Sequence, residues 1–373
     1  MPKRETEARV QHKIRRLAGT RKTPFLVINK EAITRKYRLT RQALPEAHIF
    51  YAVKANAHKR IIKLLHAAGC GFEVSSRQEL KLVLECGASP EEIISSNPLK
   101  SVDFIKAAHQ AGVNHFAFDS SDEIFKLAEF APRSNVYVRL SVPNEESEWP
   151  LDRKFGVESN PAIQLLTESA RQSLIPLGIT FHVGSQCSSE KAWKEAIKKC
   201  AQVWHGVNSS GLALKMVNVG GGFPIQHNKP VPAITELARA IKDSVKQEFP
   251  DGVEISAEPG RFLVGESGTL VTSVIAKARR NGENWLYLDA GVFNGLMESL
   301  GGIAYSMSTE SEGPIQKWVV AGPSCDSMDV ISNHIELPEP AIGDKVYISP
   351  AGAYTTVYAS RFNGISIPRI YFV

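Results

Sequence analysis

The sequence predicts an α/β protein: a TIM-like (β/α)8 barrel followed by a C-terminal β domain, a sandwich or small barrel. Three observations lead there. Short apolar, β-branched runs alternate with helical segments through the first two thirds of the chain. Eight such runs fit within roughly 220 residues, the span of a (β/α)8 barrel. Beyond about Ser267 the alternation stops, and strands follow one another without long helices. An open doubly wound sheet would share the alternation, but no Gly-x-Gly-x-x-Gly turn follows the first run.

The elements follow in order. Residues 1–23 hold eight basic and two acidic side chains, more than the whole net charge of +5. This arm has no apolar h-region and carries Glu5 and Glu7, which argues against a secretory signal. Val10, Ile14 and Leu17 recur at helical spacing, so the arm reads as a short amphipathic helix docked on the body. Pro24–Ile28 is a strand ahead of the barrel that can join the β domain. The barrel runs begin near His48, Gly71, Glu92, His115, Asn135, Leu177, Leu214 and Val253. Helices are expected over 59–68, 78–86, 102–111, 121–130, 162–172, 190–207 and 234–248. Strands at 269–278, 285–288, 318–321, 345–348 and 367–373 build the β domain. The expected organisation is an arm and strand over 1–30 joining the β domain, a barrel over 31–267 and the β domain over 268–373.

Composition narrows the function classes. At 373 residues and 43% hydrophobic content, the chain can bury one large core or two smaller ones. No apolar run approaches the ~18 residues of a membrane span, so a soluble protein is expected. Without the arm the body is close to neutral, which speaks against a nucleic-acid groove. The five cysteines are scattered, with no Cys-x-x-Cys pair. Neither a disulfide framework nor a metal site is indicated, and a reducing, cytoplasmic setting follows.

Chemistry gathers where barrel strands should end, the face that carries active sites in such barrels. The first run ends at Lys54 in Phe50-Tyr51-Ala52-Val53-Lys54-Ala55-Asn56. An ammonium is costly to desolvate, and burial favours its free amine, the form that makes a Schiff base with an aldehyde. A solvated strand-edge lysine is the plain alternative. The second run leads to Glu73 and Ser75-Ser76, and the fifth carries Arg139. The sixth ends in His182-Val183-Gly184-Ser185, the seventh in Gly220-Gly221-Gly222-Phe223 and the eighth in Glu258-Pro259-Gly260-Arg261.

The three glycines leave backbone N–H groups open to an anion, at the position where these barrels commonly grip phosphate. A merely tight turn would look the same. Arg261 adds a positive fork for that phosphate. Glu258 suits the ring nitrogen of a pyridine cofactor, whose protonated ring is the electron sink of pyridoxal chemistry; a salt bridge to Arg261 is its alternative. His182 suits stacking on a planar cofactor, or a core position satisfied by backbone. Together the four features imply pyridoxal 5′-phosphate better than any one does.

The motifs Tyr51-Ala-Val-Lys54-Ala-Asn, Phe181-His-Val-Gly-Ser185, Gly220-Gly-Gly-Phe223 and Ala257-Glu-Pro-Gly-Arg261 resemble the ornithine/diaminopimelate/arginine decarboxylase family of alanine-racemase-fold pyridoxal enzymes. Gly322-Pro-Ser-Cys325-Asp326, Gly352-Ala-Tyr354-Thr and Phe362-Asn-Gly364 continue the resemblance through the β domain. It implies that Lys54 anchors the cofactor, Glu258 pairs with its ring nitrogen and His182 stacks on the ring. It gives Ser185, Gly221, Gly222, Arg261 and Tyr354 to the phosphate, with Arg139 and Glu73 supporting Lys54 and the ring. Cys325 would protonate the carbon that has lost carbon dioxide. Asp326, with Tyr354 and Phe362, would meet the substrate. The Cys-Asp loop would enter the partner's site, so a homodimer is implied.

Cys325-Asp326-Ser327 resembles the ornithine-type loop rather than the diaminopimelate type. Two departures stand out. The second acidic residue of the ornithine enzymes falls on Gly301 or Gly302 within Glu298–Ile303, and Glu298 or a different substrate would have to compensate. Asn218 replaces a usual aspartate, with little consequence expected. The leading reading is decarboxylation of a basic L-amino acid (ornithine-type, or lysine or arginine) towards a diamine or polyamine precursor. The alternatives are a larger or non-diamine amino acid as substrate, a catalytically inactive regulatory relative, and an amino-acid racemase. A racemase needs a tyrosine base and an arginine at the ring nitrogen, which Glu258 opposes.

Overall fold

A computed structural model of the chain describes residues 2–209 and 211–373, and the side chains of residues 7–209 and 211–373. The side chain of Glu5 therefore lies outside the described residues. The chain divides into two compact units: Thr34–Pro224 with Val231–Leu263, and Met1–Ile33 with Ile225–Pro230 and Val264–Val373.

The first unit is the barrel. Its eight parallel strands are His48–Ala52, Gly71–Glu73, Ile93–Ile94, His115–Phe118, Asn135–Arg139, Ile175–Thr180, Met216–Asn218 and Glu254–Ala257. Each begins within two residues of its expected start. Strands one to three and eight to four form one parallel sheet, the first pairing with the eighth. Ser95 closes the ring, donating its N–H to the His115 carbonyl at 2.9 Å and accepting from Ala117 N–H at 2.8 Å. The barrel is thereby nearly closed. Tyr51, Phe72, Phe116, Tyr137 and Phe181, all at most 1% exposed, are buried in this unit.

Three of the intervening helices start at a capping serine that follows a strand. Ser76, Ser101 and Ser120 take extended backbone angles, and their hydroxyls accept from the N–H three residues on, in Glu79, Phe104 and Glu123. Each such cap contributes about 1 kcal/mol. The helices then bury one apolar stripe, as Ile61, Ile62 and Leu65 do in Lys59–His66.

A small antiparallel pair, Ser147–Trp149 with Ser185–Cys187, was not anticipated. Each strand has three residues, too few for alternation to register.

The second unit is a β-sheet domain. Its strands order as Ser306–Thr309, Lys345–Ser349, Gly268–Arg280, Glu283–Leu288, Ile315–Ala321 and Val330–Pro338. Phe25–Ile28 pairs antiparallel with residues 268–271 and parallel with Arg369–Phe372. The long strand Gly268–Arg280 can serve both sides because its register shifts between Val274 and Ala276. Ser306–Thr309 and Val330–Pro338 escape a sequence reading, since the first is mostly polar and the polar run Ser332-Asn333-His334 interrupts the second.

The arm is the helix Pro2–Thr20, whose Ile14 and Ala18 pack on Phe25, Val27, Val271 and Tyr347. Among the described residues no helix is long and apolar enough to cross a membrane.

Candidate active site

The C-terminal ends of the barrel strands bring the expected residues together. Lys54 sits in a single 3-10 turn, Val53–Ala55, directly after the first strand. Val53 and Ala55 are fully buried, while Lys54 is exposed. The turn is fixed from below, where the Tyr51 hydroxyl donates to the Asn56 carbonyl at 3.1 Å. The Lys54 charge is felt by Glu79, His182 and Glu258, which places them around it.

Glu73, at the end of the second strand, is 1% exposed. Its Oε1 accepts from the Ser75 hydroxyl at 3.0 Å, while Oε2 is buried with no hydrogen-bond partner. A buried carboxylate oxygen left bare is costly, and a bound partner would relieve it. Glu79 lies beside it and accepts from Ser75 N–H at 2.8 Å. Burial lifts the Glu79 carboxyl to about 7, against that hydrogen bond and with help from Glu73.

His182 accepts from Gly184 N–H through Nδ1 at 3.0 Å, so Nε2 carries the ring proton. Burial, then the Arg139 and Lys54 charges, holds its ionisation well below the usual histidine range. The ring is neutral, as stacking on a cationic pyridine requires. Arg139 ends the fifth strand with its guanidinium 5.4 Å from the Phe155 ring centroid. Burial lowers its ionisation, opposed by Glu258, Asp119 and Glu73.

The phosphate end is equally shaped. Arg261 is 5% exposed and donates to the Ser185 hydroxyl through Nε at 3.3 Å and Nη2 at 3.1 Å. A Cβ on Gly221 would come within 2.8 Å of the Glu258 carbonyl oxygen and 3.1 Å of His182 Nε2. One on Gly222 would collide with the Gly184 carbonyl. The glycines therefore hold a narrow backbone approach that side chains would fill, which suits the phosphate cradle of pyridoxal phosphate.

Glu258, 8% exposed, ends the eighth strand. Its Oε1 accepts from the Ser96 hydroxyl and from Asn218 Nδ2, and Ser96 also pairs with the Tyr137 hydroxyl at 2.7 Å. Here the expectation for Asn218 is corrected. Its side chain is fully buried against Glu258 and does not lie idle in the strand. Ser96, Tyr137 and Glu79 were also missed. Tyr137 stands two residues before Arg139, on the same strand face, and Ser96 directly follows a barrel strand. Both signals were readable.

The remaining expected residues belong to the β unit. Cys325 is exposed, with Sγ 3.5 Å from Asn363 Oδ1. Asp326 accepts from Met328 N–H at 2.8 Å. Their loop is held by Asp329, 2% exposed, which accepts from Val292 N–H at 2.7 Å and Ser324 N–H at 2.9 Å. Phe362 packs on Phe293 with ring centroids 4.6 Å apart. Tyr354, at φ 62°, stacks on Tyr358 at 5.7 Å.

A closed (β/α)8 barrel with a lysine, a buried carboxylate, a neutral histidine and a glycine-lined anion cradle at its strand ends defines a pyridoxal phosphate enzyme. Residues 30–265 match the family model for the pyridoxal-binding domain of pyridoxal-dependent decarboxylases. The chain belongs to this family, and it is a pyridoxal phosphate-dependent amino-acid decarboxylase of the ornithine/diaminopimelate/arginine type. It is 35% identical to a lysine/ornithine decarboxylase of Selenomonas ruminantium, over 97% of this chain and 93% of that protein. It is 30% identical to antizyme inhibitor 2 of Xenopus laevis, over 93% of this chain and 80% of that one. The solved structure of SrLDC in complex with PLP and cadaverine matches with a TM-score of 0.90 and 34% identity, covering 97% of this chain and 93% of that one.

Proposed function

We propose that the chain decarboxylates a basic L-amino acid with a distal amine, as a homodimer with shared sites. The observation that carries the barrel half of this reading is the bare, buried Glu73 Oε2 among Lys54, Arg139 and Glu258. Such a group suits a site built to hold a cationic ring and amine. Support for the substrate class comes from Asp326 next to Cys325 and from the lysine/ornithine relative.

The roles follow from the chemistry of each group. Lys54 is the amine that anchors the cofactor aldehyde. Glu258 would offer a carboxylate to the ring nitrogen, and neutral His182 would stack on the ring. Ser185, Gly221, Gly222, Arg261 and Tyr354 would hold the phosphate, while Arg139 and Glu73 would orient Lys54 and the ring. When bound, pyridoxal phosphate supplies the electron sink for the pair left behind by carbon dioxide. The Cys325 thiol of the partner subunit would give its proton to that carbon, leaving a thiolate. Asp326 meets the distal ammonium, with Tyr354 and Phe362 lining the substrate. Polyamine synthesis in the cytoplasm would consume such a product. An inactive regulatory role, like a racemase role, is disfavoured by the presence of Lys54, Glu258 and Cys325 together. A carbon dioxide release screen against ornithine, lysine, arginine, diaminopimelate and neutral amino acids tests the proposal. Release from neutral substrates alone would overturn the basic class.

Two variants sharpen it. Mixing inactive Lys54→Ala with inactive Cys325→Ala should restore part of the activity, because a mixed dimer keeps one intact site. No recovery despite demonstrated subunit exchange would assign each site to a single chain.

The second concerns the missing acid. Gly302 has φ 94° and open space where a Cβ would sit, and Glu298 is buried at 4% exposure. Gly302→Asp therefore has room for its side chain but carries backbone strain at this φ, which aspartate bears better than most residues. It should raise kcat/KM for ornithine about tenfold to a hundredfold, one charged contact's worth. Any larger natural substrate should suffer. Efficient wild-type ornithine turnover, unmoved by the change, would show that the acid is supplied elsewhere.

A further inference from the structure

One buried polar side chain to which no cofactor role is given is Asn218, 0% exposed at the end of the seventh strand. It spans two parts of the site. Oδ1 accepts from Gly220 N–H at 2.9 Å, the first residue of the glycine loop. Nδ2 donates to Glu258 Oε1, the oxygen that also accepts from Ser96. Because the Gly220 N–H can only donate, the amide has one orientation: oxygen to the loop, nitrogen to the carboxylate. Both donors crowd one oxygen of Glu258, and Oε2 carries neither bond.

We propose that Asn218 is a positioning residue for the cofactor ring, holding Glu258 as a carboxylate with one oxygen tied and the other turned to the ring nitrogen, and linking that carboxylate to the phosphate loop. This rests on the pyridoxal reading of the site. An aspartate here would set an oxygen against an oxygen, and would keep the same geometry only with a proton held between the two carboxylates. The asparagine does so at every pH.

Charges around Glu258 act in both directions. Burial and Glu73 disfavour its carboxylate, while Lys54 favours it along with the Ser96 and Asn218 hydrogen bonds. Arg139 and the Tyr137 hydroxyl also face it. All of these remain when Asn218 is changed, so the donor can be tested by itself.

The experiment measures binding of pyridoxine 5′-phosphate, which cannot react with Lys54, across the pH range in which Glu258 titrates. Wild-type affinity should fall on the acid side as Glu258 takes up a proton. Asn218→Ala should move that midpoint upward by about one pH unit, weakening binding about tenfold below it and far less above it. Ser96→Ala removes the other donor to the same oxygen and should shift the midpoint in the same direction, which keeps the test alive if Asn218→Ala does not fold. Asn218→Asp, able to share a proton, should show no upward shift. Equal weakening at every pH in Asn218→Ala and Ser96→Ala, with the midpoint unmoved, would reduce both residues to packing and overturn the proposal. An upward shift in Asn218→Asp as large as that of Asn218→Ala would also overturn it. A wild type that binds pyridoxine 5′-phosphate at no pH would instead remove the cofactor reading itself.

Discussion

Lys54→Ala is expected to lose the yellow absorption band near ~420 nm that marks pyridoxal phosphate joined to a lysine amine. Turnover should fall about ten-thousandfold or more, the scale seen when an enzyme loses its covalent anchor or nucleophile. Fold stability should be almost unchanged, because Lys54 is exposed and the turn beneath it is held by Tyr51 and Asn56. This combination separates a chemical role from a structural one. The lysine belongs elsewhere if the band survives in the purified variant.

Glu258→Gln should bring the second largest loss. A glutamine keeps the volume and can still accept from Ser96, but it presents no charge to the ring nitrogen. Removing one preorganised electrostatic partner costs about a hundredfold to a thousandfold in kcat. A pH effect accompanies it. Burial first, then Glu73, lifts the Glu258 carboxyl from its ordinary 4.5 to about 7 in the folded chain. A raised folded value means stability that is fully present below the unfolded value and lost as pH rises through the folded one. The cofactor-free protein should therefore lose thermal stability between about pH 4.5 and 7. Glu258→Gln should flatten that slope only in part, because Glu79 is lifted to about 7 as well. Thermal melts of both proteins across this range provide the check, and identical slopes would contradict the buried-carboxylate account.

Much of this architecture was legible before any coordinates. Alternating apolar runs and helical stripes located eight barrel strands to within two residues, because parallel strands buried on both faces must be apolar throughout. Lys54, Glu73, Arg139, His182, Ser185 and Glu258 were found because a barrel puts its chemistry at strand ends. The glycines of the phosphate loop were legible for a different reason. Close backbone approach has a residue signature of its own.

Several features were decided by tertiary structure alone. The strands Ser306–Thr309 and Val330–Pro338 form because neighbouring strands offer them hydrogen bonds, which no local pattern announces. The exposure of Lys54 depends on the turn that lifts it off the strand. Asn218 carried the clearest lesson. Within its own segment it is one polar residue in an apolar strand, and nothing nearby says what it meets. Its partner, Glu258, lies 40 positions further along the chain on the neighbouring barrel strand. The pattern of residues along the sequence determines which elements form and which face each one buries. Which oxygen of Glu258 is tied, and by what, is determined by long-range packing between strands brought side by side, a property no window of sequence contains.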